Sequence, residues 1–328
     1  SRRRSFISGQ SFRKRPDRCI NRMNQPHVVV LGSMNVDLVT KVDKLPLQGE
    51  TVFAETFLTE NGGKGANQAV AAARLGAKVS MIGRVGSDDF GQQILQNLRA
   101  ESVNTDKVSK DSETGTGIAL ITVDAQSQNT IVVSSGANMN CGKSEIGHLE
   151  TLLGSVDCLV LQNEVPYEVN LQAARLAREN KIPVVWDPAP FVTGTQELIK
   201  HVDFLTPNQN EAELLANCEI TDEKSIHNAF LKIKESSDAV CLITMGEDGV
   251  YFLSGPAINQ IPSFLVESVD SVAAGDAFTG GFAVALSEGE TLRSAARFGC
   301  ASGALATTKL GAQSAMPFRK EVDQMINL

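Results

Sequence analysis

This chain of 328 residues is poor in the side chains that usually announce a metal or redox centre: it has one tryptophan, two tyrosines and four histidines. His27, His148, His201 and His227 stand alone, without the spacing that places two imidazoles on one metal ion. Six cysteines (Cys19, Cys141, Cys158, Cys218, Cys241, Cys300) are scattered, with no Cys-x-x-Cys pair. That argues against a zinc ribbon or a disulfide framework and fits free thiols in a reducing compartment. No apolar run approaches the ~18 residues of a membrane-spanning helix, and there is no hydrophobic segment of a secretory signal. Two phosphate-binding fingerprints are also missing, the G-x-x-x-x-G-K-[ST] loop and the G-x-G-x-x-G turn. The second absence argues against a nicotinamide-dependent dehydrogenase. There is no internal repeat.

Charge is unevenly placed. Residues 1–26 carry eight basic residues against the single acid Asp17, a net charge of +7; with −8 for the whole chain, residues 27–328 carry −15. An acidic body argues against nucleic-acid binding and gives no reason to expect a membrane surface as partner. The leader is rich in Arg and Ser and poor in acids, the composition of an organelle transit peptide, and is expected to be disordered. Stroma or matrix is the expected destination, the chloroplast favoured and the cytoplasm the alternative. A basic tail without a targeting role has the same composition.

From His27 onward strands alternate with helices. His27–Gly32, Val79–Gly83, Cys158–Leu161, Val184–Trp186 and Val240–Ile243 read as buried strands. Ala66–Leu75, Phe90–Ala100 and the segments near 168–180, 209–217 and 223–235 read as helices. The order implies an α/β fold, a doubly wound, mainly parallel sheet with helices on both faces, as one domain over 27–328. Two stretches break the rhythm. Residues 38–60 alternate polar and apolar around a Pro46/Gly49 turn, and residues 117–136 read as a hairpin. Both are assigned to a small separate β-sheet, whose uncovered side calls for substrate or a second subunit.

Chemistry is suggested where small residues meet polar ones. Asp270-Ser271-Val272-Ala273-Ala274-Gly275-Asp276 leads directly into an apolar helix. Small side chains leave its first N–H groups uncovered, and the helix dipole makes that end partly positive, which suits phosphate. A carboxylate there is placed to take a proton from an attacking hydroxyl, or simply to favour the dipole. Gly32-Ser33-Met34-Asn35-Val36-Asp37 follows the first strand, where ligands of open α/β sheets collect, and reads as a strand-end turn with two short polar groups. Asn61-Gly62-Gly63-Lys64-Gly65-Ala66-Asn67 is a glycine-rich turn opening a helix; it lets backbone approach a small ligand, with Lys64 and Asn67 in reach. Asn208 with Glu211 has the spacing of a helix cap, and equally of an oxygen donor pair near a hard cation. Thr244-Met245-Gly246-Glu247-Asp248-Gly249 reads as strand, turn, strand, either an ordinary hairpin or the border of a nucleotide.

Taken together and in this order, these segments resemble the PfkB (ribokinase-like) carbohydrate kinases over about 27–320. The Gly-Ser-x-Asn-x-Asp start, the run Gly62-Gly63-Lys64-Gly65-Ala66-Asn67-Gln68-Ala69, the Ala273-Ala274-Gly275-Asp276 segment and Lys309-Leu310-Gly311-Ala312-Gln313 point to the ribokinase branch. The resemblance implies the three-layer α/β/α fold of that family and an ATP-dependent phosphorylation of D-ribose at its 5-hydroxyl. Asp276 would be the base, with the N–H groups of Ala273, Ala274 and Gly275 as an anion hole. Asn35, Asp37, Gly63, Lys64, Asn67 and Glu164 would hold the sugar. Asn208, Glu211, Thr244, Gly246, Gly249 and Cys300 would lie along ATP and Mg2+, together with Ala274 and Gly275. Asp270, Val272, Ala306, Lys309, Gly311 and Ala315 would surround an activating K+. The small sheet would be a lid and a homodimer contact, and the leader would mark a plant, organelle-targeted member. Other members of the family use deoxyribose, fructose or adenosine, and some organelle relatives serve as non-catalytic scaffolds. Three positions depart from the usual pattern: Ser271-Val272 replaces a threonine pair, Ala315 a hydroxyl residue, and Cys300 a polar or aromatic one.

Overall fold

Residues His27–Leu31 form β1, and the alternation of its side chains divides the interior in two. Val28 and Val30 face one core, Val29 and Leu31 the other, and all four are fully buried. The computed structural model describes residues 25–126 and 128–327. The leader over 1–26 therefore falls outside the described residues except for its last two. After β1 come β2 (Asn35–Lys41), β3 (Thr56–Gly62), α1 (Lys64–Arg74), β4 (Lys78–Gly86), α2 (Asp89–Ala100) and β5 (Val103–Asp111). Next are β6 (Gly117–Val123), β7 (Asn129–Ser134), α3 (Lys143–Leu152), β8 (Cys158–Leu161), α4 (Tyr167–Glu179), β9 (Val184–Trp186) and β10 (Phe204–Leu205). The chain ends through α5 (Gln209–Ala216), α6 (Glu223–Ser236), β11 (Val240–Thr244), β12 (Val250–Ser254), β13 (Ala257–Ile261), α7 (Ala274–Ser287), α8 (Leu292–Ala306) and α9 (Arg319–Ile326).

The large sheet runs β13-β12-β11-β10-β9-β8-β1-β4-β5, parallel from β5 to β11 and antiparallel at β12 and β13. Helices α1, α2, α7 and α8 pack on one face, α3 to α6 on the other. This is the expected doubly wound fold. The second sheet runs β3-β2-β6-β7, with β2 and β6 parallel and both edge pairs antiparallel. No helix among the described residues is long and apolar enough to cross a membrane.

One local expectation changes. Gly32 to Asp37 is not a simple strand-end turn: only Gly32, Ser33 and Met34 make the crossing, and Asn35 and Asp37 stand on β2 of the small sheet. The chain passes from one sheet to the other without a turn motif, because Asn35 pairs at once with Gly62 and Gly117. The small sheet accordingly begins three residues earlier than the alternating pattern that starts at Leu38.

Candidate active site

Strand order reverses at β1. The chain first builds outward through β4 and β5, then returns to the other side of β1 with β8 and builds toward β9, β10 and β11. Loops leaving β1 and β8 therefore diverge and open a crevice at their C-terminal ends, the place where doubly wound sheets bind ligands. Ser33 lies on one lip and Glu164 on the other. The Ser33 hydroxyl donates to Glu164 Oε2. The same carboxylate oxygen accepts the Lys64 N–H at 3.0 Å, and Ser33 Oγ accepts the Gly65 N–H at 3.3 Å.

Those bonds explain how α1 starts. Helices α2, α5, α6 and α8 are capped by their own Asp88, Asn208, Asp222 and Thr291. Gly63, at the cap of α1, has no side chain and a φ of 87°, a left-handed conformation that glycine adopts without strain. The first N–H groups of α1 are satisfied instead from across the crevice. Gly65 is equally constrained: a Cβ there would sit 2.6 Å from the Ser33 nitrogen. The glycine-rich run thus lets α1 start against the β1–β2 crossing, with Lys64, Asn67 and Gln68 on its first turns.

Helix α7 starts at the same place. Its cap, Ala273, is left-handed (φ 58°), and no side chain caps the helix. The Ala274 N–H donates to Ser271 O at 3.3 Å. Those of Ala273, Gly275 and Asp276 carry no hydrogen bond among the described residues. Gly275 is exposed, with no atom near the position of a Cβ. Asp276 is buried (4% exposed) and anchored on both oxygens by α1: Asn67 Nδ2 donates to Oδ2 and Gln68 Nε2 to Oδ1, each at 2.9 Å. Asn67 Oδ1 is buried without a hydrogen-bond partner among the described residues.

Carboxylates crowd around Lys64. Burial alone would lower its pKa, but Asp276, Asp187, Glu164 and Glu211 hold it above the ordinary lysine value. Asp37 is pushed up to about 7, first by burial and then by repulsion from Glu164, Glu60 and Asp276. Asp187, after β9, is raised well above the carboxylate range, chiefly by burial; Lys64 opposes this and Asp276 and Glu211 reinforce it. Asn35 is fixed by Asn138, whose Nδ2 donates to Asn35 Oδ1 at 2.8 Å. The result is an acidic, hydroxyl-accepting crevice with one ammonium and an open helix N-terminus.

The remaining expected residues divide. Asn208 and Glu211 make a reciprocal cap: Asn208 Oδ1 accepts the Glu211 N–H and Glu211 Oε2 accepts the Asn208 N–H, both at 2.9 Å. Glu211 still acts electrostatically on Lys64 and Asp187, which places the start of α5 beside the same crevice. Thr244 is bridged to Asn208, and Gly246 and Gly249 flank the turn between β11 and β12. Cys300 is not brought to this cluster by its side chain; it lies in the core, where burial pushes its thiol up to about 12. Asp270 joins two loops, its Oδ1 accepting the Val272 N–H (3.0 Å) and its Oδ2 the Gly311 N–H (3.1 Å). Ala306 ends α8, Lys309 stands in the loop after it and Ala315 in the short turn beyond Gly311; the Lys309 ammonium turns away to Glu321. Among the described residues no three His, Cys, Asp or Glu side chains are arranged to hold a metal by themselves.

Ser33, Gln68, Asn138 and Asp187 were missed by sequence reasoning. Asp187 had a signal, since it follows a strand at the ligand-binding end of the sheet. Gln68 stood beside the chosen Asn67. Asn138 had none, because it lies in an irregular turn more than a hundred residues from its partner.

Comparison with known proteins agrees with this geometry. The model of the pfkB family carbohydrate kinases matches residues 25–319. A ribokinase of Haemophilus influenzae is 40% identical over 294 residues, covering 90% of this chain and 96% of its own. The crystal structure of a ribokinase from Thermotoga maritima superposes with a TM-score of 0.84 at 36% identity, covering 92% of this chain and 99% of that one. A ribokinase of Arabidopsis thaliana, solved in complex with ribose and ATP, gives a TM-score of 0.84 at 30% identity, over 93% of this chain and 100% of that one. With nearly the whole chain matched at this level, and a helix N-terminus, a buried carboxylate and a hydroxyl-accepting crevice at the sheet's switch point, the chain belongs to the pfkB family of carbohydrate kinases.

Proposed function

We propose that this chain transfers the γ-phosphoryl group of ATP to the 5-hydroxyl of D-ribose, with Asp276 as the base. The observation that carries the mechanism is the placement of Asp276: buried, held on both oxygens, in the first turn of a helix whose N–H groups are open. Asn35, Asp37, Lys64, Asn67 and Glu164 line the crevice as partners for sugar hydroxyls. Asp276 orients the attacking hydroxyl and receives its proton as the new O–P bond forms and the bond to the ADP oxygen breaks. Charge on the transferring group is met by the α7 N-terminus, with Gly275 as its most exposed donor. Ala274, already bonded to Ser271, has to release that long contact to take part.

ATP extends from α7 toward Asn208, Glu211, Thr244, Gly246 and Gly249 in this reading. The donor chemistry fits Mg2+: Glu211 Oε1 is a carboxylate oxygen free of hydrogen bonds among the described residues, and the crevice holds several carboxylates for one lysine. With so few protein ligands, water and phosphate oxygens would complete the shell. Bound there, Mg2+ would neutralise phosphate charge. K+ is assigned to the join that Asp270 makes between its own loop and that of Gly311. Val272 and Ala315 have hydrocarbon side chains, so either would contribute only its backbone carbonyl.

The small sheet is assigned as the cover of the sugar site and as a dimer contact. Directly paired Leu58, Val39, Ile121 and Ile131 make an aliphatic row across all four strands. The row lies on the same face as Asp37, and Leu58 and Ile131 are about half exposed (45% and 51%). A face of that kind suits a second copy of itself. The composition of residues 1–26 supports import into an organelle of a plant cell, the chloroplast stroma favoured.

The test is ADP release with Mg-ATP and ribose, 2-deoxyribose, fructose or adenosine in turn, with K+ or Na+. The expected result is fastest turnover on ribose and stimulation by K+. Turnover of another substrate above ribose refutes the substrate assignment, and indifference to K+ refutes the cation site.

A further inference from the structure

Gln68, on α1, is fully buried against Asp276. All of its hydrogen-bonding groups are engaged. Nε2 donates to Asp276 Oδ1 at 2.9 Å and to Asp187 Oδ2 at 2.8 Å, and Oε1 accepts from Gln162 Nε2 at 2.6 Å. Turned over, the amide would set its carbonyl against Asp276 Oδ1 and its NH2 against that of Gln162, so the orientation shown is the one that meets all three partners. Gln162 is tied in turn, its backbone carbonyl accepting Asn170 Nδ2 at 2.6 Å. One amide thus links the ends of β8 and β9 to the first turns of α1 and α7.

We propose that Gln68 is a positioning residue for phosphoryl transfer: it fixes the plane of the Asp276 carboxylate, and Asp187 and Gln162 fix Gln68. The proposal rests on the reading of Asp276 as base. The last torsion of an aspartate is broad, and one donor on one oxygen leaves the plane free to swing about that contact. Donors on both oxygens, Asn67 on one and Gln68 on the other, remove that freedom. The rotation matters because proton transfer needs a lone pair aligned with the attacking hydroxyl. The Asn67 side-chain carbonyl is buried without a partner, whereas both polar side-chain atoms of Gln68 are already engaged within the protein. Loss of Gln68 should therefore slow the chemical step and leave sugar affinity nearly unchanged.

The experiment compares full-length Gln68→Leu with the parent, with Asp276→Asn and with the double variant. It measures kcat and sugar KM with Mg-ATP, and thermal melting to show that each chain is folded. Gln68→Met, of similar volume and more flexible, serves if the leucine variant does not fold. Expected is a kcat lowered ~10- to 100-fold, a sugar KM within ~3-fold, and no further loss when the substitution is added to Asp276→Asn, since residues acting as a unit are not additive. Two results overturn the proposal while leaving the base in place: a kcat within twofold of the parent although Asp276→Asn is crippled, or the same fractional loss in both backgrounds, which is the mark of a purely structural role. A normal kcat for Asp276→Asn removes the base reading, and this proposal with it.

Discussion

Asp37 provides a quantitative test of the sugar site. Its carboxylate is half-buried on β2, and its direct cross-strand neighbour on β3 is Glu60, a like charge on the same face. Burial, then Glu164, Glu60 and Asp276, push its pKa up to about 7 from an ordinary 3.8. If Asp37 accepts hydroxyl protons from ribose, the ionised form is the binding form. Sugar KM then scales with 1 + 10^(7−pH), about 11 at pH 6 and about 1.1 at pH 8, so that KM falls ~10-fold across that range. Asp37→Asn cannot ionise and should show a raised KM without that slope. The assay is coupled ADP release at saturating Mg-ATP and constant ionic strength. A flat KM in the parent, or the same slope in Asp37→Asn, refutes the reasoning. Stability gives a second readout of opposite sense to the usual paired carboxylate. With its pKa raised on folding, Asp37 binds its proton more tightly in the folded chain. Its stabilising contribution is present below about 3.8 and is lost as pH rises through about 7. In the absence of sugar, Asp37→Asn should therefore gain in Tm relative to the parent between pH 4 and pH 8.

Four further substitutions address separate links. Asp276→Asn should lower kcat by at least ~10²-fold with little change in sugar KM, measured under saturating substrates; a normal kcat would exclude it as base. Lys64→Ala should act mainly on sugar KM, and unaltered ribose kinetics would count against that contact. Gly280→Ala would bring a Cβ within 2.7 Å of Ala71 Cβ and 3.0 Å of Gln68 O, where α7 packs on α1. Overpacking of this kind should cost about 1–3 kcal/mol and appear as a lower Tm in thermal melts; an unchanged Tm would show that the two helices can separate freely. For the proposed dimer contact, Ile131→Glu in the aliphatic row of the small sheet should give a monomer by light scattering where the parent gives a dimer; a monomeric parent or an unchanged mass would exclude that face as the contact.

What was legible in the sequence followed from local rules. The β/α alternation sufficed for the doubly wound sheet, because continuous branched runs such as Val28–Leu31 have few alternatives to a buried parallel strand. The start of α7 was legible for the same reason: a run of small residues before an apolar helix leaves its N–H groups uncovered wherever the helix lies. Asn208 and Glu211 were harder, since a capping box and a cation-binding pair have the same spacing, and the structure shows the cap itself. The start of β2 was not legible, because Gly32 to Asp37 reads locally as a strand-end turn, whereas the strand from Asn35 is defined only by its partners Gly62 and Gly117.

The part of the site that sequence does not reveal is its buried wiring. Gln68 reaches Asp187 across 119 residues and Asp276 across 208. No periodicity within α1 distinguishes a glutamine that bridges two carboxylates from one that faces water. Yet the wiring left an indirect trace. Four other helices begin on Asp, Asn or Thr caps, whereas α1 begins on Gly63 and α7 on Ala273. A residue that cannot cap its own helix leaves orphan N–H groups to be met from elsewhere. At α1 they are met by Ser33 and Glu164 across the crevice, and at α7 they remain open toward it. Starts without a side-chain cap are not peculiar to the site, since α3, α4 and α9 begin on Gly142, Pro166 and Phe318; what sets α1 and α7 apart is that both starts meet at Asp276, which Asn67 and Gln68 of α1 hold in the first turn of α7.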